Sequence, residues 1–364
     1  MTAELISKPE SVELKPLHRP RLPELSYLNV LFTLMVICVH ILSEPIISLD
    51  RLSVQYFVVY TPWKLFQFVT QGFIFLSGLK LFINNRGEFK IGRFYLSRAK
   101  RVLLPYFVWV IVYYAYFVSI NWLNFSFSEL AHYIIFGDLA SHFYFVIIII
   151  QFYLLTPLFS RIFKKCTPWL ATVYSFFISR ILGEFLPQLL TFISPDISFA
   201  YNDRLFTTYL FYFIAGAALG MNYSSVIAGL RKAKVSVYSA FAAFTALNLA
   251  LSYLTSCGKI YIHWGYSLHF AYSVSAILAA LTFAVGFAEK HPALPRSVKL
   301  ADSSSYMLYL SHILIIFIVR RFLDGKVVDI GVRLAATLAV LALYVVLSVV
   351  LWSFVKEKMR HTRT

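Results

Sequence analysis

Ten apolar runs, most of them near the ~20 residues needed to cross a bilayer core, leave this chain few folds to choose from. They lie at 25–47, 63–83, 102–120, 143–159, 169–186, 205–222, 235–255, 266–288, 306–318 and 331–354. The ninth is short in apolar terms. Nearly every residue is in or beside such a run, so there is room for one membrane domain and none for a soluble one. The spacing therefore predicts an all-α polytopic membrane protein with about ten transmembrane helices. The expected division is an N-terminal tail at 1–24, a membrane domain at 25–355 and a basic tail at 356–364.

A net charge of +16 raises the question of nucleic acid, and the distribution of that charge argues against it. With the N-terminus placed inside, 23 of the 33 Lys and Arg residues fall on the inner side. The outer side is sparse until Arg320, Arg321, Lys326 and Arg333. This is the positive-inside bias, with both termini cytoplasmic, and it predicts a multi-pass protein of a cell membrane. Membrane lipids are the expected surroundings and no nucleic-acid partner is expected. The segment before Leu25 is polar, contains four prolines and lacks the shape of a signal peptide, so the first span reads as retained. Cys38, Cys166 and Cys257 fall in a span, an inner loop and an outer loop, which suits neither a disulfide framework nor a metal site. A Gly-rich phosphate loop is absent from the sequence, so ATP-driven transport has no support.

The first span carries the most informative residue, His40. An ionisable side chain inside a membrane is costly and is usually kept for function. Ser26, Asn29, Thr33, His40 and Ser43 recur at spacings of three, four and seven, and Glu44 lies four beyond His40. These spacings place them on one helical stripe. His40 alone would be read equally well as a hydrogen-bonded bundle residue; a polar stripe suits a helix that lines an interior site.

Further motifs follow in order. Gly72-Phe-Ile-Phe-Leu-Ser77-Gly78 sits in the second span. The segment after it reads Phe94-Tyr-Leu-Ser-Arg98-Ala-Lys-Arg101-Val-Leu-Leu-Pro105-Tyr106. Arg98 and Arg101 would share a face of a helix, and arginine forks suit phosphates; from charge alone the cluster is read first as an ordinary positive-inside flank. His142-Phe-Tyr-Phe opens the fourth span, and Ser304-Ser-Tyr306-Met-Leu-Tyr309-Leu-Ser-His312 lies in the ninth. His142 stands where polar aromatics anchor at the interface, the reading given more weight here. For His312, core hydrogen bonding and catalysis stand level.

Taken together and in this order, these stretches resemble the membrane-bound acyltransferase 3 family over almost the whole chain. No single motif is specific; their joint order is. Within the family the likeness is greatest to the exopolysaccharide branch of the intercellular adhesion protein C type, for which O-succinylation of a poly-N-acetylglucosamine is the expected role. The resemblance implies a catalytic His40 with His312 in support, a donor site at Arg98 and Arg101, and supporting roles for Ser26, Asn29, Ser77, His142 and Tyr306. It departs from the family at Ser26 and Asn29, where an Asp and an Arg usually stand. That leaves the charge partner of His40 open, with Glu44 or Glu24 as substitutes.

Acyl transfer to a sugar hydroxyl needs a base near neutrality, and a His, with an unperturbed pKa of ~6.5, suits it. The expected donor is acyl-CoA, carrying acetyl or succinyl, with no metal. The expected acceptor is an extracellular or cell-envelope polysaccharide, or a lipid-linked glycan. Glu44, one turn beyond His40, is the candidate partner of the imidazole, against an interfacial Glu facing water. Arg180 and Glu184, four apart in the fifth span, read as an internal ion pair. Arg320, Arg321 and Arg333 read as solvated loop residues, with an anionic glycan as the less favoured partner. A glycan exporter or flippase is the competing function; the paired half-repeats common in transporters are not detected in the sequence.

Overall fold

The computed structural model describes residues 22–85, 90–194, 201–326 and 329–361. Among these there is no β-strand, and ten helices are long and apolar enough to cross a membrane. We label them α1 (Pro23–Ser48), α2 (Val54–Ile83), α3 (Ile91–Ser119), α4 (Tyr144–Lys165), α5 (Pro168–Ile193), α6 (Asn202–Met221), α7 (Lys234–Ser256), α8 (Gly265–Lys290), α9 (Arg296–Leu323) and α10 (Ile330–Phe354). The chain is thus an all-α, multi-pass membrane protein. An even number of spans puts the two ends on one side, the side that carries the basic loops.

Three spans are longer than hydropathy alone predicts. α9 begins ten residues before its apolar run, with a polar first part that includes Asp302. α2 begins nine residues early and is broken at Gln67–Phe68. The break frees the Leu65 carbonyl, and the Tyr272 hydroxyl on α8 donates to it at 2.5 Å, which meets the demand that membrane-buried backbone be satisfied. α3 begins at Ile91, eleven residues before its apolar run, and takes in the Phe94–Tyr106 motif segment. The terminal helix also continues to His361, so the basic tail expected at 356–364 is helical over most of its length. The N-terminal tail lies outside the described residues up to residue 21.

Two helices each contain one widened turn, and both have the same cause. In α3 the turn Ala99–Leu103 closes with a bond from the Leu104 amide to the Ala99 carbonyl, one residue wider than α-helical spacing. In α5 the Leu186 amide bonds the Ile181 carbonyl in the same way. Pro105 and Pro187 follow directly, and a proline supplies no N–H to the helical ladder. The Val102 carbonyl within the α3 turn accepts from the Tyr306 hydroxyl of α9 at 3.0 Å.

α1 is the hub of the bundle: α2, α8, α9 and α10 all pack on it. This is why its stripe is polar, since no lipid reaches that face. Beside it, α2 and α6 pack backbone to backbone. A Cβ on Gly78 would collide with the Phe213 carbonyl of α6, and one on Gly216 with the Phe75 carbonyl of α2. Small residues at such positions let membrane helices approach closely, and that accounts for the glycine of the Ser77-Gly78 motif.

Candidate active site

Three histidine rings meet where α1, α9 and the start of α4 converge. His40 lies 5.2 Å from His312 and 6.3 Å from His142, centroid to centroid, and His142 lies 5.2 Å from His312. His142 is not an interface anchor: it is 1% exposed, and His312 is 0% exposed. The segment leading into α4 turns at Gly137, whose φ of +64° favours glycine, and runs under α9. There the Tyr309 hydroxyl donates to the His142 carbonyl.

Hydrogen bonds assign the tautomers of two of the rings. His312 Nδ1 sits 2.8 Å from the Tyr309 carbonyl and 3.2 Å from that of Leu308. Carbonyls only accept, so Nδ1 carries the proton of the neutral ring and Nε2 the lone pair. His142 Nε2 lies 3.1 Å from the Leu310 carbonyl, so its lone pair is on Nδ1. Both lone-pair nitrogens are buried and without a hydrogen-bond partner among the described residues. Tyr113 completes the frame: its hydroxyl donates to the Leu310 carbonyl at 3.1 Å and accepts from the Leu314 amide at 2.7 Å. Two neighbours of His40 are thereby pinned with acceptor nitrogens to spare, while no hydrogen bond to the His40 ring itself forms among the described residues. No group of three or more His, Cys, Asp or Glu side chains among them is placed to hold a metal ion.

His40 lines a cavity of about 260 Å³ together with Gln67, Thr70, His142, Tyr144 and His269. Gln67 sits at the break of α2. The Thr70 and Tyr144 hydroxyls pair at 2.9 Å, and His269 Nδ1 is buried without a partner among the described residues. Gln67, Thr70 and His269 belong to none of the motifs read from the sequence, and Tyr144 enters only as part of His142-Phe-Tyr-Phe. A second cavity, of about 250 Å³, lies toward the basic side and is lined by Asn29, Ser77, Arg101, Asp302 and Tyr306.

The two expected donor-site arginines make different contacts. Arg98 stacks against the Phe94 and Tyr153 rings at 5.2 and 4.9 Å. Arg101 is exposed and lines the second cavity. Tyr153 lines that cavity too, so both arginines stand at its edge.

Glu44 is not placed to serve the imidazole. Its carboxylate is held by Arg320 Nε at 2.9 Å and Arg333 Nη2 at 2.7 Å, and Arg333 also binds Asp324 at 2.8 Å. Arg320 and Arg333 are therefore paired within the protein rather than solvated; Arg321 is exposed. Arg180 donates to Ser267 Oγ at 2.7 Å, and the Glu184 side chain lies outside the described residues. Glu24, the other substitute, accepts from the Tyr223 hydroxyl at 2.5 Å.

The carboxylate that the first helix lacks stands on α9. Ser26 Oγ donates to Asp302 Oδ2 at 2.9 Å, and Asn29 Nδ2 to Oδ1 at 2.8 Å. A sequence window cannot reveal this pair, since 273 residues separate Asn29 from Asp302.

A family model described as an acyltransferase domain (Acyl_transf_3) matches residues 22–355. The chain belongs to the acyltransferase 3 family. It is also similar to the YfiQ protein of Bacillus subtilis (strain 168), whose name places it among the membrane-bound acyltransferases, at 29% identity over 171 residues. That match covers 46% of this chain and 46% of the relative, so this chain spans about half the relative's length. No solved structure matches the chain. Against the acyltransferase 3 pattern, Ser26 and Asn29 become two neutral donors that a carboxylate from α9 bridges.

Proposed function

We propose that the protein is a membrane O-acyltransferase that moves an acyl group from acyl-CoA to a hydroxyl of an extracellular or cell-envelope glycan. The observation that carries this reading is the environment of His40, in a chain of the acyltransferase 3 family. The ring is unencumbered, faces a cavity, and has two histidines beside it, each with one ring nitrogen bonded to a carbonyl and the other left without a hydrogen bond, which in the neutral ring is an acceptor.

In this reading the cavity with Arg101 takes the thioester end of the donor, and the one with His40 takes the acceptor. Both are smaller than the roughly 300–1,000 Å³ of a site that encloses a drug-sized ligand. They suit the reacting ends of two larger molecules, with the CoA nucleotide outside on the basic, cytoplasmic side, where Arg101 is exposed to phosphates. Gln67, Thr70, Tyr144 and His269 offer donors and acceptors to a polyhydroxylated acceptor. His40 takes the hydroxyl proton as the oxygen attacks the thioester carbonyl. The tetrahedral intermediate collapses with cleavage of the C–S bond, and the CoA thiolate leaves with the proton returned by His40. The products are an ester and free CoA. The lone pair of His312 or His142 accepts an N–H from the His40 imidazolium, the task a carboxylate performs in many His sites.

The competing exporter reading has one observation in its favour: α2 is broken within the membrane, beside a cavity, as helices of transporters often are. The two separate in cells. Loss of an acyltransferase changes the acyl content of the glycan; loss of an exporter changes its amount. Release of free CoA from acyl-CoA by membranes holding the wild-type protein, and its absence with His40→Ala, tests the chemistry directly. Equal release from both would end the catalytic assignment.

A further inference from the structure

The two cavities share three walls, Phe73, Phe145 and Tyr309. The rings lie 5.8 Å (Phe73–Phe145), 5.4 Å (Phe145–Tyr309) and 6.5 Å (Phe73–Tyr309) apart, centroid to centroid. Those are the spacings of aromatic rings in edge contact. The rings form a septum between Arg101 on one side and His40 on the other. Tyr309 is fixed, since its hydroxyl donates to the His142 carbonyl. Phe73 and Phe145 carry no polar atom and are partly buried, so only packing holds them.

Resting on the acyl-transfer reading above, the geometry points to Phe73 and Phe145 as the residues that select the acyl group: they admit a short, uncharged acyl chain to His40 and turn away long or anionic ones. A thioester carbonyl presented from the Arg101 side has to pass between these rings. An acetyl group needs one ring to turn. A chain several carbons longer holds the septum open along its whole length. A succinyl group draws a carboxylate through an apolar ring of contacts, where desolvation without a partner is costly. Asp302 adds to this, as its carboxylate lies on the wall of the donor-side cavity and repels a second one.

The test uses the full-length protein in membranes with acetyl-, butyryl-, octanoyl- and succinyl-CoA. Wild type is expected to favour acetyl-CoA over octanoyl- and succinyl-CoA by tenfold or more in kcat/KM. Phe73→Ala and Phe145→Ala are each expected to raise the octanoyl-to-acetyl ratio at least tenfold. Wild type using octanoyl- or succinyl-CoA as well as acetyl-CoA overturns the proposal, as does a ratio left unmoved in both variants. A second arm needs no turnover. In a background lacking Cys38, Cys166 and Cys257, Val39→Cys reports the His40 cavity and Ser303→Cys the donor cavity. A charged thiol reagent applied from the Arg101 face should label Ser303→Cys readily and Val39→Cys slowly. Adding Phe73→Ala should speed labelling of Val39→Cys at least tenfold; an unchanged rate removes the septum. Should His40→Ala retain acyl transfer, the functional reading falls while the labelling result stands.

Discussion

One helical turn of α1 separates two polar clusters that differ in whether ion pairs hold them. At Glu44 the carboxylate binds two arginines, one of them tied to a second carboxylate, Asp324. Arg320 also donates to the carbonyls of His40 at 3.1 Å and Ile41 at 3.2 Å. The Ile41 carbonyl is free for it because Pro45, four residues on, has no N–H to give. At His40 the opposite holds: two pinned rings leave two buried nitrogens unfilled. A buried polar atom without a partner costs about 1–3 kcal/mol. Arg320 Nε lacks a hydrogen bond too, but its charge is met by the Glu44 carboxylate at 2.9 Å, whereas no ion pair among the described residues meets the three rings at His40. By this criterion Glu44 belongs to the frame and His40 to the chemistry, although sequence spacing places both on one stripe.

The comparison breaks most simply at His40. His40→Ala should lower acyl transfer by about 10²–10⁴-fold while the thermal unfolding of the purified protein in detergent stays within a degree or two of wild type. Activity near wild type, or a large loss of stability, would show that the ring serves the frame after all.

Glu44→Gln should do the reverse. It leaves Arg320 and Arg333 facing a neutral amide, at a cost of about 1–3 kcal/mol in stability, seen as a lower unfolding temperature. Activity per folded molecule should hold within twofold, with a pH–rate profile that overlays wild type. A displaced profile would return Glu44 to the imidazole.

Arg101→Ala should raise the apparent KM for acyl-CoA about tenfold, the equivalent of ~1.4 kcal/mol. Lys at this position should restore part of the loss, since it keeps the charge without the fork. Arg98→Ala should affect donor KM less, because its guanidinium is stacked on Phe94 and Tyr153. Donor titrations of the three variants decide the order; a larger effect at Arg98 would mean that the widened turn rearranges when donor binds.

The smallest effect is expected from Asp302→Asn. The amide keeps one acceptor for Ser26 and Asn29 and removes the charge, so stability should fall by about 0.5–1.5 kcal/mol. Ser26→Ala combined with it should cost less than the sum of the two single changes, as expected of one shared contact. Strict additivity, read from unfolding temperatures, would mean that the contact contributes nothing.

Ten spans were legible in the sequence because hydropathy is a local property, and so was the stripe of α1, because helical periodicity is local too. What escaped the sequence depends on other helices. The start of α2 at Val54 and the polar start of α9 lie outside the apolar runs, and both are helical although only single positions there, such as Tyr56 and Ser304, are buried. The pairing of Asp302 with Ser26 and Asn29 joins the two ends of the chain. His142 stands at the edge of an apolar run, where an anchor and a buried ring read alike. Only the passage of its segment beneath Tyr309 separates them. The widened turn at Arg98 and Arg101 had a local signal in Pro105, whose missing amide is enough to explain it.

The backbone-to-backbone contact of α2 with α6 bears on how the protein sits in different membranes. Two helices joined at Gly78 and Gly216 behave as one rigid keel, and Phe73 and Ser77 ride on it. α5 and α7 are the least buried of the ten spans. A thicker or thinner bilayer imposes its mismatch on helices that are free to tilt. It will therefore rock α5 and α7 at the rim and leave the registry between Phe73 and His40 unchanged, so catalysis should be indifferent to lipid chain length over a range that visibly alters the outline of the protein.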